Sequence, residues 1–334
     1  MRRWGRRLAR RKVVPPIRGA TLRRGPQTAA AGTAHTLSAV ALDILVPYWG
    51  DPDLMRETVE SVVAQDRDDW RLLVVDDAYP DPQITEWLRG LDDPRVTVLR
   101  HTTNLGITAN YRECLARATQ EHVAFVGCDD VLLPSYVGVV LDAFAAVPEA
   151  VMVQPGVRVV DETGTPSTGL ADSVKQRLLR PRGEGRTVLS GEPLATSLLH
   201  GNWLYWPSIA FRRNAVEQIG FRVEMPIIQD YALELDLVAH GGLLVVDSEV
   251  CFLYRRHAGS ASSTTLVDGS RFADERTYYA MAVEQMRALG WQQAERAARA
   301  RLTSRAHALS LLPGLLARRR WDAAGQVLRH ALAR

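Results

Sequence analysis

The sequence predicts an α/β protein built on an open, mostly parallel sheet that is flanked by helices and followed by a C-terminal helical extension. Two observations predict this fold class. From residue 43 to about residue 160, short continuous apolar runs alternate with segments of helical periodicity. From about residue 270 the chain is rich in Ala, Arg and Leu with a helical pattern. The 334 residues, 46% apolar and 24% charged, are typical of a globular protein.

The first half contains four runs that are apolar on both faces, which is typical of buried parallel strands. Amphipathic segments near 53–65, 82–91 and 108–119 separate them and predict helices. The strands are expected at Asp43–Pro47, Arg71–Asp76, Arg95–Leu99 and His122–Gly127.

The second half is less regular. A helix is expected from Pro134 to about Val147, with proline in its first turn. Residues 161–190 are rich in Gly, Pro and Arg and predict a mobile loop. The remaining elements are strands at 151–160, 208–211 and 243–254 and helices at 213–219 and 230–239.

Charge is distributed unevenly. The net charge is +3, but residues 1–38 carry ten basic groups and no acidic one, and residues 301–334 carry a net +6. The remaining segment is therefore at −13, which argues against a nucleic-acid-binding domain. We expect 1–38 to be a disordered basic tail, either a solvated extension or an attachment to anionic lipid.

Cysteine content and targeting signals favour a cytoplasmic location. The chain has Cys114, Cys128 and Cys251 and no Cys-x-x-Cys pair, which suits a reducing compartment. Pro15, Pro16 and Arg18 interrupt the stretch after the basic start, so no secretory signal is expected. No window of 18 apolar residues predicts a membrane span.

Polar and acidic residues follow the predicted strands, where open α/β sheets bind ligands. Asp76 and Asp77 follow the second strand, and Asp129 and Asp130 follow the fourth. Like charges gathered at one sheet edge favour a compensating cation, and Mg²⁺ or Mn²⁺ takes one or two carboxylates together with substrate phosphates. Each pair alone is also typical of a helix cap or turn, and Asn104 with Gly106 is typical of a turn.

Together these segments resemble the inverting family 2 glycosyltransferases of the GT-A fold. The resemblance covers roughly residues 42–262. The motifs that carry it are Ile44–Tyr48, Val74–Asp77, Asn104–Gly106, Phe125–Asp130, Arg212–Phe221, Gln229–Tyr231 and Tyr254–Ser260.

The resemblance implies roles residue by residue. Asp230 would be the catalytic base, Asp129 and Asp130 would bind Mn²⁺ or Mg²⁺, and Asp130 would be the more direct ligand. Arg255 and His257 would approach the diphosphate or the acceptor. The nucleotide-binding set would be Pro47, Tyr48, Asp51, Asp77, Asn104 and Asp129, with Asp77 accepting a hydrogen bond from the base.

Two positions depart from the family pattern. Gly127 stands where the family often has Asp, which removes one metal contact, and Gln229 replaces the usual Glu beside Asp230. The aromatic residues Trp203, Tyr205 and Trp206 are interpreted as core, with an aromatic wall for an acceptor sugar as the alternative.

Composition and the resemblance together divide the chain into a tail (1–38), a glycosyltransferase domain (39–265) and a helical region (266–334). Residues 39–150 would form the nucleotide-sugar half and 151–265 the acceptor half. We expect sugar transfer from a UDP- or dTDP-sugar to a saccharide or lipid-linked acceptor. The alternatives are a non-catalytic nucleotide-sugar-binding scaffold of a membrane complex and a sugar nucleotidyltransferase.

The C-terminal helices leave three interpretations open: a layer packed on the body, a homo-oligomer contact, or a basic amphipathic surface. Arg clusters at both chain ends indicate peripheral attachment to an anionic membrane surface, the inner face of the cell membrane. We expect a nucleotide-diphosphate sugar and an acceptor as partners, and no nucleic acid.

Overall fold

The structure is a computed structural model that describes residues 42–167, 185–256 and 270–332. The predicted tail 1–38, most of the predicted loop 161–190 and His257 lie outside the described residues.

Within the described ranges, nine strands form one mixed sheet. Strands β1 to β4 pair in parallel in the order β3-β2-β1-β4. Strand β8 then joins β4 to β6 by antiparallel pairing on both sides, and β6 pairs in parallel with β9. The strands are β1 (Leu42–Tyr48), β2 (Trp70–Asp76), β3 (Val96–Arg100), β4 (His122–Phe125), β5 (Val131–Leu132), β6 (Ala150–Val160), β7 (Arg186–Leu189), β8 (Ala210–Arg212) and β9 (Leu243–Arg255).

Helices cover both faces of the sheet. Successive residues of a strand point to opposite faces. Accordingly Leu45 and Val75 belong to one apolar cluster and Ile44 and Val74 to the other. The helices are α1 (Pro52–Val63), α2 (Gln83–Arg89), α3 (Ile107–Arg117), α4 (Tyr136–Ala146), α5 (Gly191–His200), α6 (Arg213–Ile219), α7 (Gln229–Ala239), α8 (Ser270–Ala288), α9 (Gln292–Ala300), α10 (Leu302–Ala317) and α11 (Trp321–Leu332).

The predicted fold class is confirmed, with four corrections of detail. Helix α4 begins at Tyr136, so Pro134 precedes its first turn. Strand β8 begins at Ala210, after a short 3₁₀ turn at Trp206–Ser208. Strand β7 occupies part of the predicted loop, and helix α5 was not predicted.

The C-terminal helices add a third apolar cluster, which contains Phe272 of α8, Ala308 and Leu315 of α10, and Val327 of α11. These residues tie the two last helices to α8. In the described part of the chain, no helix combines the length and apolar character needed to cross a bilayer.

Candidate functional site

The carboxyl ends of β1, β2 and β4 meet at one edge of the sheet. Tyr48 is in register with Asp76, and the Asp77 N–H donates to the Tyr48 carbonyl (3.1 Å). The loop after β1 touches the turn after β4, since a Cβ placed on Gly50 would lie 2.7 Å from Cys128 Sγ. The sheet thus brings together three of the predicted strand-end motifs.

The Asp77 carboxylate is buried and organises the approach to α3. Its Oδ1 accepts from the Leu105 N–H and contacts His101 Nδ1, both at 2.8 Å, and its Oδ2 accepts from the Gly106 N–H at 2.9 Å. The Asn104 side chain accepts from the same Gly106 N–H. Gly106 has φ +87°, a conformation that glycine adopts without strain. Asp77 and Asn104 therefore share one turn at this edge of the sheet.

Asp76, by contrast, is a structural residue. It is fully buried, accepts from the Tyr79 N–H (2.8 Å) and Thr85 Oγ1 (2.5 Å), and is paired with Arg100. Of the two adjacent carboxylates after β2, Asp76 thus fixes the loop from the core side.

An aromatic group flanks the end of β1. Tyr48 is fully buried and its hydroxyl donates to the Gly50 carbonyl (3.0 Å), while Pro47 is half-buried. Tyr79 packs against Tyr48 and against Trp49, with ring centroids 5.3 and 5.4 Å apart. Trp49 is 49% exposed. In this predicted base-binding segment, Trp49 and Pro47 are therefore accessible to a ligand, whereas the Tyr48 ring is buried.

Asp51 is exposed and caps helix α1. Its Oδ1 accepts from the Asp53 N–H at 2.8 Å and from the Leu54 N–H at 3.4 Å. An Asp at this position satisfies amide groups that a helix start leaves open. The structure therefore shows Asp51 in a capping role beside the site.

The acidic turn, defined as Gly127–Asp130, holds a buried carboxylate with one oxygen that accepts no hydrogen bond from the described residues. Asp130 is 1% exposed, its Oδ1 accepts from the Arg255 N–H (2.9 Å), and its backbone carbonyl accepts from Thr58 Oγ1 (2.7 Å). Among the described residues, Asp130 Oδ2 has no hydrogen-bond partner. Burial, reinforced by the charge of Asp129, raises the pKa of the Asp130 carboxyl well above its ordinary value.

The acidic turn fits a divalent cation that is completed by phosphates. Across residues 42–167, 185–256 and 270–332, no group of three or more His, Cys, Asp or Glu side chains could hold a metal by itself. Asp129 and Asp130 together supply two carboxylates, one of them with an unsatisfied buried oxygen. Mg²⁺-type sites commonly use one or two carboxylates plus substrate oxygens. The residues present are therefore compatible with Mn²⁺ or Mg²⁺.

Arg255 braces the acidic turn. Its Nε donates to the Asp129 carbonyl (2.8 Å), its Nη1 to the Glu162 carbonyl (3.1 Å) and its Nη2 to Glu57 Oε2 (2.6 Å). Only 6% of the residue is exposed. Every nitrogen of this guanidinium donates to the protein, so Arg255 holds the turn and α1 together at the end of β9.

Asp230 lies in the first turn of α7, half-buried. Burial raises the pKa of Tyr111, and the charge of Asp230 raises it further. The neighbouring Gln229 is 5% exposed, and its Oε1 accepts no hydrogen bond from the described residues.

The aromatic residues between these groups form core. Trp203, Tyr205 and Trp206 are 1%, 6% and 7% exposed, which confirms the core interpretation. Trp206 stacks on Phe125 with centroids 5.7 Å apart, and its Nε1 donates to the Tyr111 hydroxyl (3.2 Å). These rings form a dry floor around Phe125, the last residue of β4, two residues before the acidic turn begins.

Sequence reasoning missed Tyr111, Glu57 and Trp49 as members of this region. Tyr111 lies on α3 among ordinary helical residues, and Glu57 lies on the exposed side of α1. No local pattern marks either residue. Trp49 stands next to the motif at the end of β1, and its exposure became evident only from the fold.

Comparison with known families gives one domain match. The Glycosyl transferase family 2 model matches residues 43–217, which is more than half of the chain.

Two curated relatives each match a little under a third of the chain. The putative colanic acid biosynthesis glycosyl transferase WcaA of Escherichia coli K12 is 28% identical over 101 residues, 30% of this chain and 36% of that protein. The succinoglycan biosynthesis protein ExoW of Rhizobium meliloti is 34% identical over 100 residues, 28% of this chain and 31% of that protein. The chain thus spans about a third of the length of each.

Solved structures support the fold. Residues 1–349 of TarS from S. aureus, in complex with UDP-GlcNAc, have a TM-score of 0.66 and 17% identity, covering 87% of this chain and 81% of that one. The mannosyltransferase PcManGT from Pyrobaculum calidifontis, in complex with GDP-Man and Mn²⁺, has a TM-score of 0.55 and 18% identity, covering 87% and 86%. At such identities the likeness shows the GT-A fold alone.

Proposed function

The chain belongs to glycosyl transferase family 2, and from this premise we propose that it transfers a sugar from a UDP- or dTDP-sugar to a hydroxyl of a saccharide or lipid-linked acceptor, with inversion. The observation that carries the proposal is the acidic turn. It holds Asp129 and the buried, unpaired Oδ2 of Asp130 at the same sheet edge as Asp77.

The nucleotide would bind at the ends of β1 and β2. Asp77 keeps acceptor capacity on Oδ2, which receives one N–H bond, and would receive a ring N–H of the base. Pro47 and the neighbouring aromatic rings would line the base. Tyr48, Asp51 and Asn104 would support this segment through the contacts that fix its loops.

The leaving diphosphate would lie over the acidic turn. Asp129 and Asp130 would hold Mn²⁺ or Mg²⁺, which when bound supplies charge neutralisation for the departing diphosphate. Arg255 would act as a positioning residue, because its guanidinium is already committed to Asp129, Glu162 and Glu57. His257 remains proposed as a diphosphate or acceptor contact.

Asp230 would act as the base that takes the proton from the attacking acceptor hydroxyl. It lies in the first turn of a helix, where the helix dipole favours the ionised carboxylate. The dry floor of Trp206, Phe125 and Tyr111 would exclude water from one side of the reacting groups. A single base opposite the leaving group gives direct displacement with inversion.

We propose the same division of the chain that the sequence indicates: nucleotide-sugar half 39–150, acceptor half 151–265 and helical region 266–334, preceded by a basic tail at 1–38. We also propose that the protein acts in the cytoplasm, at the inner face of the cell membrane.

The test is the substitution Asp230→Asn in the full chain, with Glu224→Gln as the matched control because Glu224 is an exposed carboxylate nearby in sequence. Release of UDP from UDP-glucose and UDP-GlcNAc, and of dTDP from dTDP-rhamnose, is measured with Mn²⁺. Removal of a general base lowers turnover about 10²- to 10⁴-fold. Calorimetry should show unchanged binding of UDP or dTDP.

Full turnover in Asp230→Asn would contradict the assignment of the base. Tight UDP or dTDP binding by the unaltered protein, with no turnover on any donor or acceptor, would instead indicate a nucleotide-sugar-binding scaffold. A thermal-shift panel of UDP, GDP, dTDP and CDP, with and without Mn²⁺, identifies which nucleotide base the donor carries.

A further inference from the structure

Helix α10 carries an exposed apolar stripe in addition to its core face. Leu302, Leu309 and Leu316 follow one another at seven-residue intervals and are 61%, 47% and 45% exposed. Residues seven apart lie on one face of a helix. Ala308 and Leu315, on the adjoining face, are buried in the C-terminal apolar cluster. The leucine stripe is therefore apolar surface that the described part of the chain leaves exposed.

Helix α11 has the same character. Trp321, Leu328 and Leu332 are 65%, 44% and 70% exposed, at spacings of seven and four residues. Val327 and Ala331 of this helix are buried against the same cluster. Both helices thus bury one stripe and leave a second apolar stripe in water, a property that marks interaction surfaces.

The surroundings of these stripes are strongly basic. Between Arg296 and Trp321 the sequence contains seven arginines and no acidic residue. Arg318, Arg319 and Arg320 form the exposed connection between α10 and α11. Exposed Trp and Leu on helices that also carry clustered Arg are the features of a helix that lies in a membrane interface.

Charge decides between a lipid surface and a second copy of the chain. Pairing of two α10 helices in parallel would place Arg318 and Arg319 of each copy against their equivalents. Antiparallel pairing would place them near the N-terminal end of α10 of the other copy, where Arg301 and Arg305 lie and no acidic residue occurs. Both arrangements bring like charges together, whereas anionic headgroups complement the arginines at either end.

We propose that the α10–α11 hairpin is a docking surface for an anionic lipid bilayer. The exposed leucines and Trp321 enter the boundary between headgroups and acyl chains, and Arg318 and Arg319 contact lipid phosphates. The inference does not depend on the proposed sugar transfer, because binding is measured with lipid alone and no donor.

The experiment is co-sedimentation of the full chain with vesicles of phosphatidylcholine alone or with 30% phosphatidylglycerol. The double variant Arg318→Gln/Arg319→Gln should lose affinity for the anionic vesicles by roughly 25-fold, about fivefold for each arginine. Leu309→Gln/Leu316→Gln should lose about tenfold or more through its apolar contacts. Arg89→Gln/Arg117→Gln removes the same charge at exposed sites elsewhere and should change binding little.

The basic tail 1–38 is present in every variant, so the ratio of the vesicle affinities of two variants measures the contribution of the hairpin alone. Circular dichroism checks that each variant is folded. The proposal is overturned if both hairpin variants bind like the unaltered protein. It is equally overturned if light scattering shows a dimer that Leu309→Gln/Leu316→Gln dissociates, because the stripe then belongs to a second copy.

Discussion

Substitution of Gly127 by alanine tests whether the geometry of the acidic turn is required. The added methyl carbon would lie 2.6 Å from Asp130 Oδ2 and 2.8 Å from Asp129 Oδ1. Both distances are shorter than any ordinary carbon–oxygen contact, so a carboxylate must move. Asp130 is 1% exposed and has no solvent to move into.

The expected loss of stability follows from the interactions that Asp130 would lose. Displacement breaks the bond from the Arg255 N–H to Oδ1, and hydrogen bonds to charged groups contribute about 1.5–3 kcal/mol. Overpacking a filled site costs about 1–3 kcal/mol. Because the two effects overlap, we expect a loss of about 2–4 kcal/mol in the free energy of unfolding, together with a large loss of turnover.

The family resemblance makes this prediction sharper. Asp is frequent at this position in the family, yet Gly127→Asp should be more harmful here than Gly127→Ala, because it forces a third carboxylate against Asp129 and Asp130. Thermal unfolding and release of the nucleoside diphosphate from the donor are measured on both variants. The control is Gly325→Ala in α11, where a methyl group meets nothing within 4 Å and should stabilise by about 0.5–1 kcal/mol.

A stable, active Gly127→Asp enzyme would refute the reasoning. That result would mean that the turn rearranges freely and that the buried position of Asp130 does not constrain it.

Three further outcomes are expected. Glu57→Gln removes the charge of a half-exposed ion-pair partner of Arg255. The free energy of unfolding should change by less than about 1 kcal/mol, while turnover should fall severalfold. Turnover equal to that of the unaltered protein would show that Arg255 keeps its position without the ion pair to α1. Burial lowers the pKa of His330 below its ordinary 6.5, so the unfolded chain binds this proton at a higher pH than the folded protein, and stability should fall as pH drops through 6.5. Thermal unfolding of His330→Gln between about pH 5 and 8 should show a melting temperature that depends less on pH. The same pH dependence as in the unaltered protein would contradict this. Gly242→Ala places a methyl carbon 2.5 Å from Val151 Cγ2 and should destabilise by about 1–3 kcal/mol without altering nucleotide affinity; a normal melting temperature would show that the contact relaxes.

The parallel half of the sheet was predictable because burial on both faces leaves a direct signature. The runs at β1, β2 and β4 are apolar at consecutive positions, since successive side chains enter separate clusters on opposite faces. Strands β5 and β7 carry no such signature. They have two and four residues, and pairing with β9 defines them.

The site was predictable in residue type but less so in the task of each residue. Adjacent Asp76 and Asp77 look equivalent in sequence. In the structure, Asp76 is bound by Arg100 and Thr85, whereas Asp77 accepts hydrogen bonds from the turn before α3. Arg255 was predicted as a diphosphate or acceptor contact. Two of its partners are backbone carbonyls far away in sequence, and no local pattern shows such carbonyls.

Strand β8 has a consequence for how such a protein diversifies. It is only three residues long, yet among the described strands it is the one that pairs with β4 on one side and with β6 on the other. Within the hydrogen bonding of the described sheet, this tripeptide joins the parallel strands that end in the acidic turn to the remaining strands. Substitutions in β6, β9 and their loops can therefore alter the surface beside those strands while β1 to β4 keep their parallel register.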